Sequence, residues 1–211
     1  MRPIILASSS PRRSDLLSLL NVPFDVIPSD IVEDSLDGSR PELVARRLAR
    51  EKAEVARLRN RDPAVLAADT IVVYAGEILG KPAHADEARD MLRRLRGRWH
   101  EVVTGVVVLA PGRTGSMVRH CVTSVLLRYL EDEEIEAAIA EGVPFDKAGG
   151  YAIQDPNLAP VDSYEGCYCN VTGLPLWSTI EILRKAGLHV SAGVEQLLPQ
   201  CASCPLRLPT P

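Results

Sequence analysis

Five stretches of this chain place hydroxyls, cations and carboxylates where they would suit a phosphate-bearing ligand. The first is Ser8-Ser9-Ser10-Pro11-Arg12-Arg13, which follows an apolar run at residues 4–7 and precedes Leu16, Leu17, Leu19 and Leu20. A junction of strand and helix offers free N–H groups and the positive end of a helix dipole, both of which favour an anion. Ser8 and Ser10 add hydroxyls, and the adjacent guanidiniums of Arg12 and Arg13 can each grip phosphate oxygens in pairs. Ser-Pro helix starts are frequent, so this stretch alone decides nothing.

Asp69 says more. It is the one charge in the run 64–74, Ala-Val-Leu-Ala-Ala-Asp-Thr-Ile-Val-Val-Tyr. A carboxylate on or at the end of a buried strand is costly unless it is paired, hydrogen-bonded or bound to a metal. Buried carboxylates are uncommon, which favours a functional role. Thr70 beside it falls on the opposite face of a regular strand. Lys52 lies along the apolar stripe of Val44, Leu48 and Val55 on a helix expected at 41–58, where a lysine either snorkels or meets an anion.

Gly80-Lys81-Pro82 fixes a lysine just after a turn. In Asp146-Lys147-Ala148-Gly149-Gly150-Tyr151-Ala152-Ile153-Gln154, two glycines permit close backbone approach while Asp146, Lys147 and Gln154 offer both charges and an amide. Glu33, within the acidic segment 30–34, and Asp69 supply the hard oxygen donors that Mg²⁺ or Mn²⁺ takes together with substrate phosphates. Each of these stretches by itself also fits an ordinary surface turn.

The elements that must position these groups alternate between strand-like and helix-like segments, the pattern of a mixed α/β domain. Strands are expected at 4–7, 22–27, 64–74, 99–110, 117–130 and 164–172. Helices are expected from Pro11, over 41–58, from Asp86 to near Gly97, over 131–141, and from Pro175 to near Gly187. Residues 1–190 form one domain. Residues 191–211 carry four prolines and no periodicity, and a loosely held tail is expected there.

With 211 residues, 46% of them hydrophobic and 25% charged, the chain has the composition of an ordinary globular domain. A net charge of −4 argues against a nucleic-acid polymer as partner, since such partners leave a basic footprint on a whole domain. No apolar run reaches the roughly 18 residues of a membrane span, and the N-terminal apolar stretch is too short for an export signal. The cytoplasm is the expected compartment. The five cysteines, Cys121, Cys167, Cys169, Cys201 and Cys204, do not read as a secreted disulfide framework. Cys201-Ala202-Ser203-Cys204 has half the spacing of a zinc site and Cys167-Tyr168-Cys169 is shorter than usual. Zinc requires the two pairs to converge; a free-thiol tail is the expectation. His84, His100, His120 and His189 show no paired spacing and are read as bystanders.

Taken in order, Leu6 to Arg13, Ala68-Asp69-Thr70, Gly80-Lys81-Pro82, Asp146 to Gln154 and Gly173-Leu174-Pro175 resemble the Maf family over residues 4 to about 187. The resemblance implies a mixed sheet with flanking helices in two lobes around a central cleft, similar in outline to inosine triphosphate pyrophosphatases. It implies hydrolysis of a nucleoside triphosphate to monophosphate and pyrophosphate, a divalent cation, and a homodimer. By position, Asp69 resembles the catalytic base and Glu33 an acid that helps hold the metal. Arg13, Lys52 and Lys81 resemble cations around the phosphates, and Ser8 and Ser10 phosphate-loop hydroxyls. Asp146 and Lys147 match a pair in the family motif.

Arg12, Thr70 and Gln154 resemble the set of the branch acting on dTTP and UTP. The 7-methyl-GTP branch carries a bulky aromatic at the position of Arg12. The segment 155–160, Asp-Pro-Asn-Leu-Ala-Pro, departs from the glycine-rich continuation of the family beside the presumed base reader. Two other readings stay open at this point: a nucleotide-binding regulator of cell division without turnover, and a nucleotidyl transferase.

Overall fold

The computed structural model describes residues 3–29, 31, 40–59, 62–112, 114–190 and 198–207. Strands β1 (Ile4–Leu6), β2 (Phe24–Val26), β3 (Val65–Tyr74), β4 (Glu77–Leu79), β5 (Trp99–Leu109), β6 (Met117–Leu127) and β7 (Val161–Glu165) form one seven-stranded sheet. The order is β2-β1-β3-β5-β6-β7, with β4 paired to β3. β1 is parallel to β2 and to β3, and the remaining pairs are antiparallel, so the sheet is mixed. Helices α1 (Pro11–Ser18), α2 (Pro41–Arg59), α3 (Ala85–Leu95), α4 (Asp132–Ala140), α5 (Tyr168–Thr172) and α6 (Leu176–Lys185) flank it. The expected α/β architecture is the one observed. Among the described residues no helix is long and apolar enough to cross a membrane.

β3 organises the molecule, because its two edges are used differently. Along one edge β5 pairs with it from Val65 to Val73 without interruption. Along the other, β1 pairs at Val65 and Leu66, and β4 pairs only from Val72 onward. Between them, residues 67–71 have no strand partner on that edge among the described residues. Asp69 and Thr70 lie in this notch, where the chain of β1 departs toward α1.

The face of the sheet that carries Asp69 is covered by α2. Its buried residues are Val44, Ala45, Leu48, Ala49, Ala53 and Ala56, whereas Val55 is only half-buried. Alanines at these positions let the helix approach the sheet closely. Gly105, the cross-strand partner of Asp69, takes this to its limit: a Cβ there would sit 2.3 Å from the Ala45 carbonyl oxygen. A single glycine within the valine-rich β5 therefore brings α2 within reach of β3.

One expectation is corrected. Residues 164–172, read as one strand, divide into β7 and the short helix α5. Gly166 at φ +133° breaks the strand, and Gly173 at φ +118° stops the helix. Inside α5 the fully buried Asn170 amide donates to the Val102 carbonyl (2.9 Å) and to Thr123 Oγ1 (2.8 Å). Tertiary hydrogen bonds of this kind override a β-prone sequence. Within the segment expected as a loosely held tail, residues 199–201 form a 3₁₀ turn, and Cys201 and Cys204 are buried in the same apolar cluster as α1 and α6. Glu33 lies outside the described residues.

Candidate active site

The serine loop is shaped by its own hydroxyls. Ser8 is buried, and its Oγ accepts from the Ser10 amide (3.2 Å) and from Arg13 Nη1 (3.2 Å). Pro11 opens α1 with Ser10 in extended conformation as N-cap, as expected, although the Ser10 side chain makes no cap bond. Ser29, a residue that sequence reasoning missed, backs the loop by donating to the Ala7 carbonyl (3.3 Å).

Arg13 ties three elements together. Its Nε donates to the Gly173 carbonyl at the end of α5 (2.9 Å), Nη1 to Ser8, and Nη2 to Thr70 Oγ1 (3.2 Å). Thr70 Oγ1 is also 2.9 Å from Thr104 Oγ1 on β5. On the other face of β3, Lys52 Nζ donates to Asp69 Oδ1. The two side chains are 13% and 6% exposed, so the pair is largely removed from water. The expected alternation therefore holds: Asp69 meets α2, Thr70 meets α1 and β5.

The Gly-Gly loop closes the cavity from the opposite side. Gly149 donates its amide to the Gly80 carbonyl (2.9 Å), which joins this loop to the Lys81 turn. Its φ is +71°, and a Cβ there would press on Val72 at 3.0 Å, so glycine is required both for conformation and for space. Next to it, Asp146 receives Arg12 Nη1 (2.9 Å) and Lys147 Nζ, while Arg12 Nη2 donates to the Asp146 carbonyl (3.2 Å). Partial desolvation raises the Asp146 carboxyl, but the bonds from Lys147 and Arg12 outweigh it and hold the group below the usual carboxylate range. Asp155 Oδ1 caps the amides of Asn157 and Leu158, so the departing segment 155–160 is an ordered turn leading into β7.

One cavity of about 260 Å³ joins these parts. Ser8, Ser10, Arg12, Arg13, Lys52, Asp69, Thr70, Lys81, Asp146, Lys147 and Gln154 all line it. Lys81 and Gln154 are exposed. Tyr151 also lines the cavity, with its hydroxyl 2.6 Å from His100 Nε2 on β5. Burial pushes His100 down to about 4 and the Tyr151 hydroxyl up. His100, read as a bystander, stands one contact behind the cavity wall. Its signal in the sequence was no stronger than that of the other three histidines.

A mixed sheet notched at its centre, with hydroxyls and cations gathered around one buried carboxylate, defines an α/β protein with a single acid set in a cation-lined cleft. The chain belongs to the family of Maf-like proteins, whose pattern matches residues 3–186. A dTTP/UTP pyrophosphatase of Thermomicrobium roseum is 55% identical over 205 residues, 96% of this chain and 93% of that protein. One of Geobacter sulfurreducens is 48% identical over 184 residues, 87% of this chain and 96% of that protein. The Staphylococcus aureus Ham1 protein structure aligns at a TM-score of 0.41 and 19% identity, over 60% of this chain and 72% of that one, too slight a likeness to argue from.

Proposed function

We propose that this protein hydrolyses nucleoside triphosphates, dTTP and UTP foremost, to the monophosphate and pyrophosphate by attack of water on the alpha phosphorus. The observation that carries this reading is the position of Asp69: a buried carboxylate opening onto a cavity that Lys52, Lys81, Arg12, Arg13 and Lys147 also line. A triphosphate bears about four negative charges, and a site that holds one needs several donors fixed in advance. The names of the Thermomicrobium and Geobacter relatives support the pyrimidine preference.

In this scheme Asp69 orients and deprotonates the water. Its Oδ1 is engaged by Lys52, so Oδ2 is the oxygen that receives the water proton. Ser8, Ser10 and the α1 amides hold phosphate oxygens, and Lys81 and Lys52 stabilise charge on the departing pyrophosphate. Arg13, already bonded to Ser8, Thr70 and Gly173, keeps the serine loop against β3 while lending its charge. Arg12, Thr70 and Gln154 select the base, with Asp146 and Lys147 setting the position of Arg12.

Asp69 and the serine hydroxyls are hard oxygen donors, a set that fits Mg²⁺ or Mn²⁺, and such ions commonly use one or two carboxylates plus the substrate's own phosphates. Asp69 and Glu33 would hold it. When bound, the ion withdraws charge from the phosphate oxygens. On the same reading the protein acts as a homodimer in the cytoplasm.

A panel of nucleoside triphosphates, with and without Mg²⁺ or Mn²⁺ and with phosphate products resolved, tests the proposal. The expected result is pyrophosphate with dTMP or UMP, formed faster than products from purine nucleotides. Inorganic phosphate as the first product, or tight binding without turnover, overturns it.

A further inference from the structure

All five cysteines converge in one place. Cys121 of β6, Cys167 and Cys169 at the start of α5, and Cys201 and Cys204 of the tail are buried in a single cluster. Cys169 Sγ and Cys201 Sγ are 3.4 Å apart. Cys121, Cys167 and Cys204 are buried in the same cluster, at 4%, 1% and 5% exposure. The pairs that the sequence places 32 residues apart thus meet, which is the condition a zinc site sets.

The tail supplies a second, independent observation. Within residues 198–207 the only buried side chains are Cys201 and Cys204; Leu198 and Leu206 are half-buried and the rest exposed. The Trp177 indole also reaches this segment, donating to the Cys201 carbonyl (3.2 Å), and Leu198 and Leu206 pack against the same cluster. Burial in this segment is thus concentrated at the two cysteines. The family pattern ends at residue 186, so Cys167 and Cys169 lie within it and Cys201 and Cys204 beyond it.

We propose that Cys167, Cys169, Cys201 and Cys204 form a structural zinc site that fastens the tail to α5, with Cys121 packed beside it. Cys169 and Cys201 now stand as contacting thiols, and among the described residues no three metal-ligating side chains already surround an ion-sized space. A Zn–S bond of about 2.3 Å sets tetrahedral sulfurs about 3.8 Å apart, so the Cys169–Cys201 contact must open by roughly 0.4 Å. Each thiol releases its proton to solvent as it binds. The site would stiffen α5, just past which the Gly173 carbonyl holds Arg13 at the cavity.

The full chain, produced in zinc-containing medium and purified without chelator, is tested by elemental analysis, native mass spectrometry and alkylation. About one zinc per chain is expected, lost in the Cys201→Ser/Cys204→Ser double variant and retained in Cys121→Ser and Asp69→Asn. Cysteines 167, 169, 201 and 204 should resist iodoacetamide until a strong chelator is added, and the chelator should lower the melting temperature by roughly 5 °C or more. If a cysteine variant fails to fold, the wild-type metal content and the chelator-dependent alkylation still decide. Wild-type protein with less than about 0.1 zinc per chain, or protection relieved by reductant and not by chelator, would overturn the proposal.

Discussion

Two ion pairs in one cleft do opposite jobs. Lys52 and Asp69 lie at the notch of the sheet, 13% and 6% exposed, on elements fixed by α2, β3 and β5. Arg12 and Asp146 stand at 23% and 58% exposure and join the start of α1 to the Gly-Gly loop across the mouth. Water screens the second pair and scarcely reaches the first. The buried pair is held in one geometry because a lone charge there would be heavily penalised. The rim pair costs little to open. A cleft that must keep one group in register while admitting a ligand needs both kinds.

The sharpest way to break this comparison is Asp69→Asn, which keeps the shape and removes the proton acceptor. Turnover should fall by about 10²-fold or more with nucleotide binding nearly intact. Near-normal turnover in a steady-state assay would remove Asp69 from that role. Lys52→Met comes next: it strands Asp69 without its partner and should destabilise the fold by about 3–5 kcal/mol in denaturant titration. A loss under about 1 kcal/mol would put Lys52 with the screened pairs.

Behind the cavity wall, the folded-state value of His100 is depressed to about 4 from the usual 6.5. Between these values the unfolded chain binds the extra proton, so stability is full above about pH 6.5 and is lost as pH falls toward 4, by about 3 kcal/mol. His100→Gln, which leaves a polar partner for Tyr151, should flatten that slope; an unchanged slope would assign it elsewhere. The smallest effect is expected at the rim. Arg12→Ala should leave stability within about 1 kcal/mol while narrowing the preference for dTTP and UTP over purine triphosphates. A severe loss of stability would show that the rim pair is structural after all.

What the sequence revealed follows the same division. Asp69 was legible because a charge within an apolar strand contradicts its surroundings, and Lys52 because it interrupts a helical stripe. Both line one cavity together with Ser8, Arg13 and Lys81. The closeness of α2 was not legible. It depends on four alanines and on Gly105, residues whose meaning appears only once the helix lies on the sheet. The helix α5 was hidden because Asn170 and the glycines at 166 and 173, not local propensity, determine it. His100 and the converging cysteines were hidden for a related reason, since their partners lie at 51 and 32 residues' distance along the chain.

Hydrolysis of dTTP in water enriched in ¹⁸O tests the central claim most directly, because the label records which phosphorus the water attacked. The account predicts the isotope in dTMP and none in the pyrophosphate. Label in the pyrophosphate, or in inorganic phosphate released first, would contradict it.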